Sequence, residues 1–508
     1  NTGSAALTVG STVDGGYTLT LNSTAATTFS GIVGGSTKLT GIITNSGGTV
    51  VFNTTAISTD GNQTYNDAAT LGDNITFTTT GDNIVFSSTV NSVSSTKTLD
   101  IVAGAGNTTF SGTVGGSEAL GNTTIGTAVL TAAAIKVQGT LAITNSGTST
   151  ITGIISNGSS AAIITKAGAG TLTLSGDNTY TGATTVSAGV LAITHADALG
   201  GTGGATTVAD GAALNISGGI TTAAEAITIS GTGISSTGVI RNTSGNNTYS
   251  GAITLGANSE IQSDSGTLTL NVGSGSAIAA SNKNLTFDGA GNVTVADPIA
   301  TGSGTLYKGG NGTLTLSAAN TYTGATTIQQ GVLIATNATS LGTTDGATTI
   351  TDGAVLQISG GINIGDAITA SGSGVSSNGA IRSTSGNNTL SGLITLAANT
   401  YIQSDDNTLT LDVSASNAIT GSYNLYFEGA GNITVSDPIA IGSGNIFKND
   451  AGTLTLTGTN TFTGFTVVNG GILSINQDRA LGAVPGSTDD DNITINGGTL
   501  KTTASFTI

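Results

Sequence analysis

Carboxylates are the residues of this chain best equipped for chemistry, and they recur. Asp264 matches Asp405, Asp288 matches Glu428 and Asp297 matches Asp437 in two copies of a long repeat. Paired carboxyls are the machinery of glycan cleavage, one acting as acid and the other as base or nucleophile. An active site occurs once, however, whereas these acids return with each copy. Turn and capping roles fit that recurrence better, and Asp297-Pro298 and Asp437-Pro438 read as turn chemistry. His195 is the sole histidine, and its counterparts are read as Asn337 and Asn476. Neither a His-bearing triad with a repeated partner nor a multi-His metal site can be drawn, so His195 is expected at a solvated bend. The run Asp489, Asp490, Asp491, with Asp405-Asp406-Asn407 as a lesser case, offers oxygen ligands to Ca2+. Neither stretch follows an EF-hand loop or a Gly-rich Ca2+-binding nonapeptide, and both read as solvated loops. No cofactor is expected, and the chain is read as no enzyme.

The elements that would position these residues are short strands. Thr171-Leu-Thr-Leu174, Ala226–Ile229, Thr267–Val272 and Asn284–Phe287 alternate apolar and polar residues, so that Leu172 and Leu174 point to a dry face and the threonines to a wet one. Gly, Asn, Asp and Ser separate the strands, and the 3.6-residue period of a helix never persists. The stretch "AGTLTLSGDNTYTGATTVSAGVL" from Ala169 returns from Asn311 and from Ala451; Tyr180, Tyr322 and Phe462 correspond at offsets of 142 and 140. The fixed positions are Leu172, Leu174, Asn178, Tyr180 and Gly182, then Leu314, Leu316, Asn320, Tyr322 and Gly324, then Leu454, Leu456, Asn460, Phe462 and Gly464. Asn178 and Gly182 are expected at bends. Exchange of Tyr for Phe points to packing at that position rather than recognition by a hydroxyl. An earlier, different repeat is marked by "FSGIVGG" at Phe29 and "FSGTVGG" at Phe110.

Short alternating strands joined by tight bends wind into a coil in which each turn pairs with the next, an all-β parallel β-helix or β-solenoid. At roughly 20 residues per coil the chain would make a single elongated rod of about 25 coils. Four segments are expected: 1–162 with the FSGxVGG-type repeat, then long-repeat copies over 163–304, 305–444 and, truncated, 445–508. A β-sandwich array is disfavoured because no linker divides the copies.

Composition narrows the function. Of 508 residues 79 are Gly and 3 Pro, Cys is absent, and charged residues make up 8%, against roughly 25% in ordinary domains. The net charge is −17 and the basic residues are scattered singly, which excludes a nucleic-acid-binding surface. No apolar run is long enough for a membrane-spanning helix. The chain begins at Asn1 without initiator Met or signal peptide and reads as a processed piece of a longer protein.

The segments Lys166–Ile193, Lys308–Ala335 and Lys448–Ile475, with G-T-L-T-L, N-T-[YF]-T-G and G-[VI]-L in fixed register, resemble the autotransporter-associated β-strand repeat of bacterial type V secretion passengers. Asp60–Thr80 and Ala103–Gly116 are similar to repeats of filamentous-haemagglutinin-like surface proteins. The resemblance implies a right-handed β-helix exported to the bacterial surface or a secreted matrix. The expected role is adhesion, self-association or a structural stalk, with a filament or surface-layer subunit and a glycan-cleaving β-helix enzyme as alternatives. Its partners would be the chain itself, laterally or end to end, and host or cell-surface glycans or proteins. A specific site is to be sought where copies differ, as at Asp177 against Ala319 and Thr459.

Overall fold

The structure, a computed structural model, describes residues 3–94, 96–414, 416–483 and 492–505. It divides into two units, Asn1–Thr254 and Leu255–Ile508. Each is a parallel β-solenoid: successive strands pair in parallel with those one coil earlier and later. In the first unit Leu172 faces Leu191, and Leu191 faces Leu214; in the second Leu314 faces Leu333, and Leu333 faces Leu356. Among the described residues no α-helix occurs, only three short 3-10 turns at Ile234–Ser236, Val375–Ser377 and Asp478–Leu481.

Alternation sets the inside from the outside. In Thr171–Leu174 both leucines are buried and both threonines half-exposed, and each buried Leu contributes about 2 kcal/mol of apolar burial. Coils are longer than the expected 20 residues in places. Leu172 and Leu191 are 19 residues apart, but Leu214 meets Ile240, 26 residues on, because the turn before Ile240 carries the extra loop with Ile234–Ser236. Thr267–Leu270 stops two residues short of the expected strand end, since the Val272 amide is turned to the Asp297 carboxylate at 2.6 Å.

The two units place their aromatic stacks differently. In the first, Phe29, Phe52, Tyr65, Phe77, Phe86 and Phe110 are buried in one interior stack, with ring centroids 4.9 to 5.6 Å apart. In the second, Tyr401, Tyr426 and Phe447 stack on the half-exposed outer face at 4.1 and 4.6 Å, with Phe465 edge-on to Phe447. Asparagine ladders bind coils in both. The Asn62 amide oxygen accepts the Asn83 N–H and that of Asn83 the Asn107 N–H. Asn399, Asn424 and Asn445 repeat the pattern up to the Phe465 N–H.

Candidate functional site

The repeated stretch uses its polar side chains to join coils. Leu172, Leu174, Leu314, Leu316, Leu454 and Leu456 are all buried. Asn178 is buried too, with its backbone outside the left-handed region. Its Oδ1 accepts the Ile155 N–H at 2.8 Å from the preceding coil, and its Nδ2 donates to the Ala198 carbonyl at 2.6 Å in the following one. Asn320 does the same between Ile299 and Ser340, and Asn460 between Ile439 and Ala480. One side chain thus satisfies a donor and an acceptor that burial would otherwise leave unpaired. Gly182, Gly324 and Gly464 are required by close approach: a Cβ there would lie 2.2 to 2.3 Å from the carbonyl oxygens of Ala162, Gly304 and Gly444.

Two residues past each Asn comes a buried ring. The Tyr180 hydroxyl pairs with Thr184 Oγ1 at 2.7 Å, and Tyr322 with Thr326 at 2.8 Å. Phe462 has no hydroxyl, and the Thr466 Oγ1 below it is buried without a partner. Two coils on from the ring, the first two copies carry a buried acid. Thr206 donates to Glu225, and Thr348 donates to Asp366 at 3.2 Å. Burial pushes the Glu225 carboxyl up to about 7 and Asp366 up to about 6, opposed by those hydroxyls. The second oxygen of Glu225 has no hydrogen-bond partner, so at acidic pH the protonated acid is the form the interior favours.

The buried lysines went unnoticed in the sequence. Lys166 Nζ donates to the carbonyls of Ala167, Gly168 and Ala188 at 2.9, 2.8 and 3.1 Å. Lys308 donates to Gly309, Gly310 and Gln330, and Lys448 to Asn449 and Asp450. Three acceptors match the three N–H groups of an ammonium. Burial pulls Lys166 and Lys308 down to about 8, and Lys448 in the same direction, so Lys166 and Lys308 remain mostly charged at pH 7. The available signal was a lysine at the same register of every copy, directly before the turn into T-L-T-L.

The acids weighed for catalysis are held by turn and strand partners. Asp297 accepts the Val272 and Gly273 amides and Asp437 the Val413 amide. Asp405 binds Arg382, 2.7 Å away, and Gln403; Asp264 accepts from Gln262 and Glu428 from Asn449. Asp288 caps the Gly289 amide and lies close enough to Glu260 to help burial raise that acid to about 7. Asp489, Asp490 and Asp491 lie outside the described residues. His195 is half-buried at a turn, and its Nδ1 accepts the Asp197 N–H at 3.2 Å. Its counterpart in the third copy is Gln477 rather than Asn476: Asn178 bonds the Asp197 carbonyl as Asn460 bonds that of Arg479, which fixes the register.

The family profile described as the passenger-associated-transport-repeat matches residues 164–193, 306–335 and 446–475, the three segments that carry the Lys, Leu, Asn and ring positions above. The adhesin BmaC autotransporter of Brucella suis biovar 1 (strain 1330) is 31% identical over 233 residues, 43% of this chain and 6% of that protein. The chain therefore spans about 6% of the length of the curated relative it matches. No solved structure is significantly similar. The chain thus carries three passenger-associated-transport repeats set on parallel β-solenoid coils, and in these segments it resembles autotransporter passengers.

Proposed function

We propose that the chain is a non-enzymatic part of a bacterial surface adhesin, displayed outside the cell, and that it binds host or cell-surface glycans or proteins. The observation that carries this reading is the 31% identity to an autotransporter adhesin over 233 residues. The geometry supports it: the polar groups fixed by the repeat are engaged between coils, leaving the outer face to Thr and Asn ladders. With 8% charged residues, such a face offers many weak polar contacts, which gain strength when several engage at once.

The test is binding of the purified, folded chain to epithelial cells, matrix proteins and a glycan array. Saturable binding by multimerised chain that falls steeply when it is presented as a monomer supports the reading. No binding to any of the three by folded protein contradicts it. Lateral self-association is the second part of the proposal, since low charge weakens repulsion between like surfaces. Sedimentation over a concentration series should show oligomers, and strict monomers throughout would remove that part.

A further inference from the structure

The repeat copies differ in concert at one place. Asp177, His195 and Asp197 occupy positions held by Ala319, Asn337 and Thr339 in the second copy and by Thr459, Gln477 and Arg479 in the third. In the first copy they converge, with one ligand-capable atom from each lying within 4.8 Å of the others. We propose that these three side chains form a site for a divalent transition-metal cation, joining two neighbouring coils of the first unit.

The backbone beneath the site is fixed by bonds that owe nothing to a metal. Asp177 sits in the turn after Thr171–Leu174, and His195 and Asp197 sit one coil on, after Gly189–Ile193. The Asn178 N–H donates to the Asp197 carbonyl at 3.2 Å, its side chain to Ala198, and the Thr194 N–H to Leu174. The Gly200 N–H closes the turn onto Asp197. The donors are thus held near one another in advance, which reduces the ordering cost of binding.

The plain structural role of His195 accounts for only part of this. Asn337 Oδ1 accepts the Thr339 N–H at 3.1 Å, as His195 Nδ1 accepts that of Asp197. A turn cap therefore needs neither an imidazole nor the two carboxylates. Two anionic oxygens and one imidazole nitrogen are a borderline ligand set suited to Zn2+ and its neighbours, whereas Ca2+ and Mg2+ prefer oxygen throughout. Three protein ligands with Asp177 exposed leave the remaining positions to water.

Coordination has a chemical consequence. Through Nδ1 the metal takes the lone pair that now accepts the Asp197 N–H. Through Nε2 it requires the imidazole proton to move to Nδ1, which likewise ends that hydrogen bond. Either route changes the Asp197 amide environment.

The single histidine makes the test clean, provided the protein carries no polyhistidine tag. With 15N-histidine labelling the imidazole gives one spin system, and Zn2+ is the probe. One equivalent of Zn2+ should shift one ring nitrogen, and calorimetry should give 1:1 binding. Asp177→Ala, His195→Asn and Asp197→Thr install residues of the second copy, which that copy tolerates in the same turn. Each should weaken binding about tenfold or more. The combined variant Ala319→Asp, Asn337→His, Thr339→Asp should gain a second equivalent. An imidazole spectrum unchanged at saturating Zn2+, or binding unaltered by the three single variants, overturns the proposal.

Discussion

The first and third copies of the repeat meet the same packing problem with one hydroxyl of difference. Tyr180 closes a hydrogen bond to Thr184, while Phe462 fills the same interior position and leaves Thr466 Oγ1 buried without a partner. The coils stack in register either way: Ile164 faces Thr184 and Thr184 faces Thr206, as Ile446 faces Thr466 and Thr466 faces Ile493. The position therefore needs ring volume first and a hydroxyl second. By contrast the Asn clip and the Lys cap recur in all three copies with the same kinds of partner.

That contrast ranks the expected effects. Asn320→Ala leaves the Ile299 N–H and the Ser340 carbonyl buried and unpaired, and should cost about 3 kcal/mol of local stability. Asn178→Ala and Asn460→Ala should match it, measured by urea unfolding of each variant. A much smaller loss at Asn460 would break the equivalence of the copies. Lys308→Met keeps the apolar stem but strips three carbonyls of their donor, and about 2 kcal/mol should be lost.

The buried acids predict a pH dependence. Folded-state values of about 7 for Glu225 and about 6 for Asp366 lie above those of an unfolded chain, so the folded state holds these protons more tightly. Their contribution is fully present below the ordinary carboxyl range, near pH 4, and is lost as pH rises through 6 to 7. Lys166 and Lys308 have the opposite sign: their contribution is present above the ordinary lysine value and lost as pH falls through about 8. Below pH 7 it is nearly flat. Unfolding midpoints should therefore rise from pH 7 to pH 5, and Glu225→Gln together with Asp366→Asn should reduce that rise, leaving the part carried by Glu260.

The smallest effects isolate the hydroxyl itself. Tyr180→Phe should cost about 1 kcal/mol by orphaning Thr184, and Phe462→Tyr should gain about as much by pairing Thr466. A loss at both positions would mean that the third copy is packed more tightly than the first, and chemical denaturation of the pair decides it.

Much of the fold was legible because alternation and turn residues act locally. T-L-T-L fixes two faces without reference to the rest of the chain, and its recurrence sets which strands are equivalent. Asn178 reads as a bend residue from its sequence, but the bonds that hold it run to Ile155 and Ala198, 23 and 20 residues away. Only the varying length of the coils decides which residues stack, and loops such as the one holding Ile234–Ser236 have no period to read. Lys166 was illegible for another reason: a lone lysine in a polar turn reads as solvated, and its carbonyl acceptors are invisible in side-chain chemistry. The convergence of Asp177 with His195 was foreshadowed only as a place where copies differ.

The central claim is that the fixed polar residues of the repeat are connectors between particular coils. Hydrogen exchange in Asn320→Ala tests it most directly. The Ile299 amide should exchange roughly 100-fold faster, in line with a loss of about 3 kcal/mol, while the Ile155 amide, held by Asn178 in the other unit, keeps its protection. Unchanged protection at Ile299, or an equal loss at Ile155, would contradict the account.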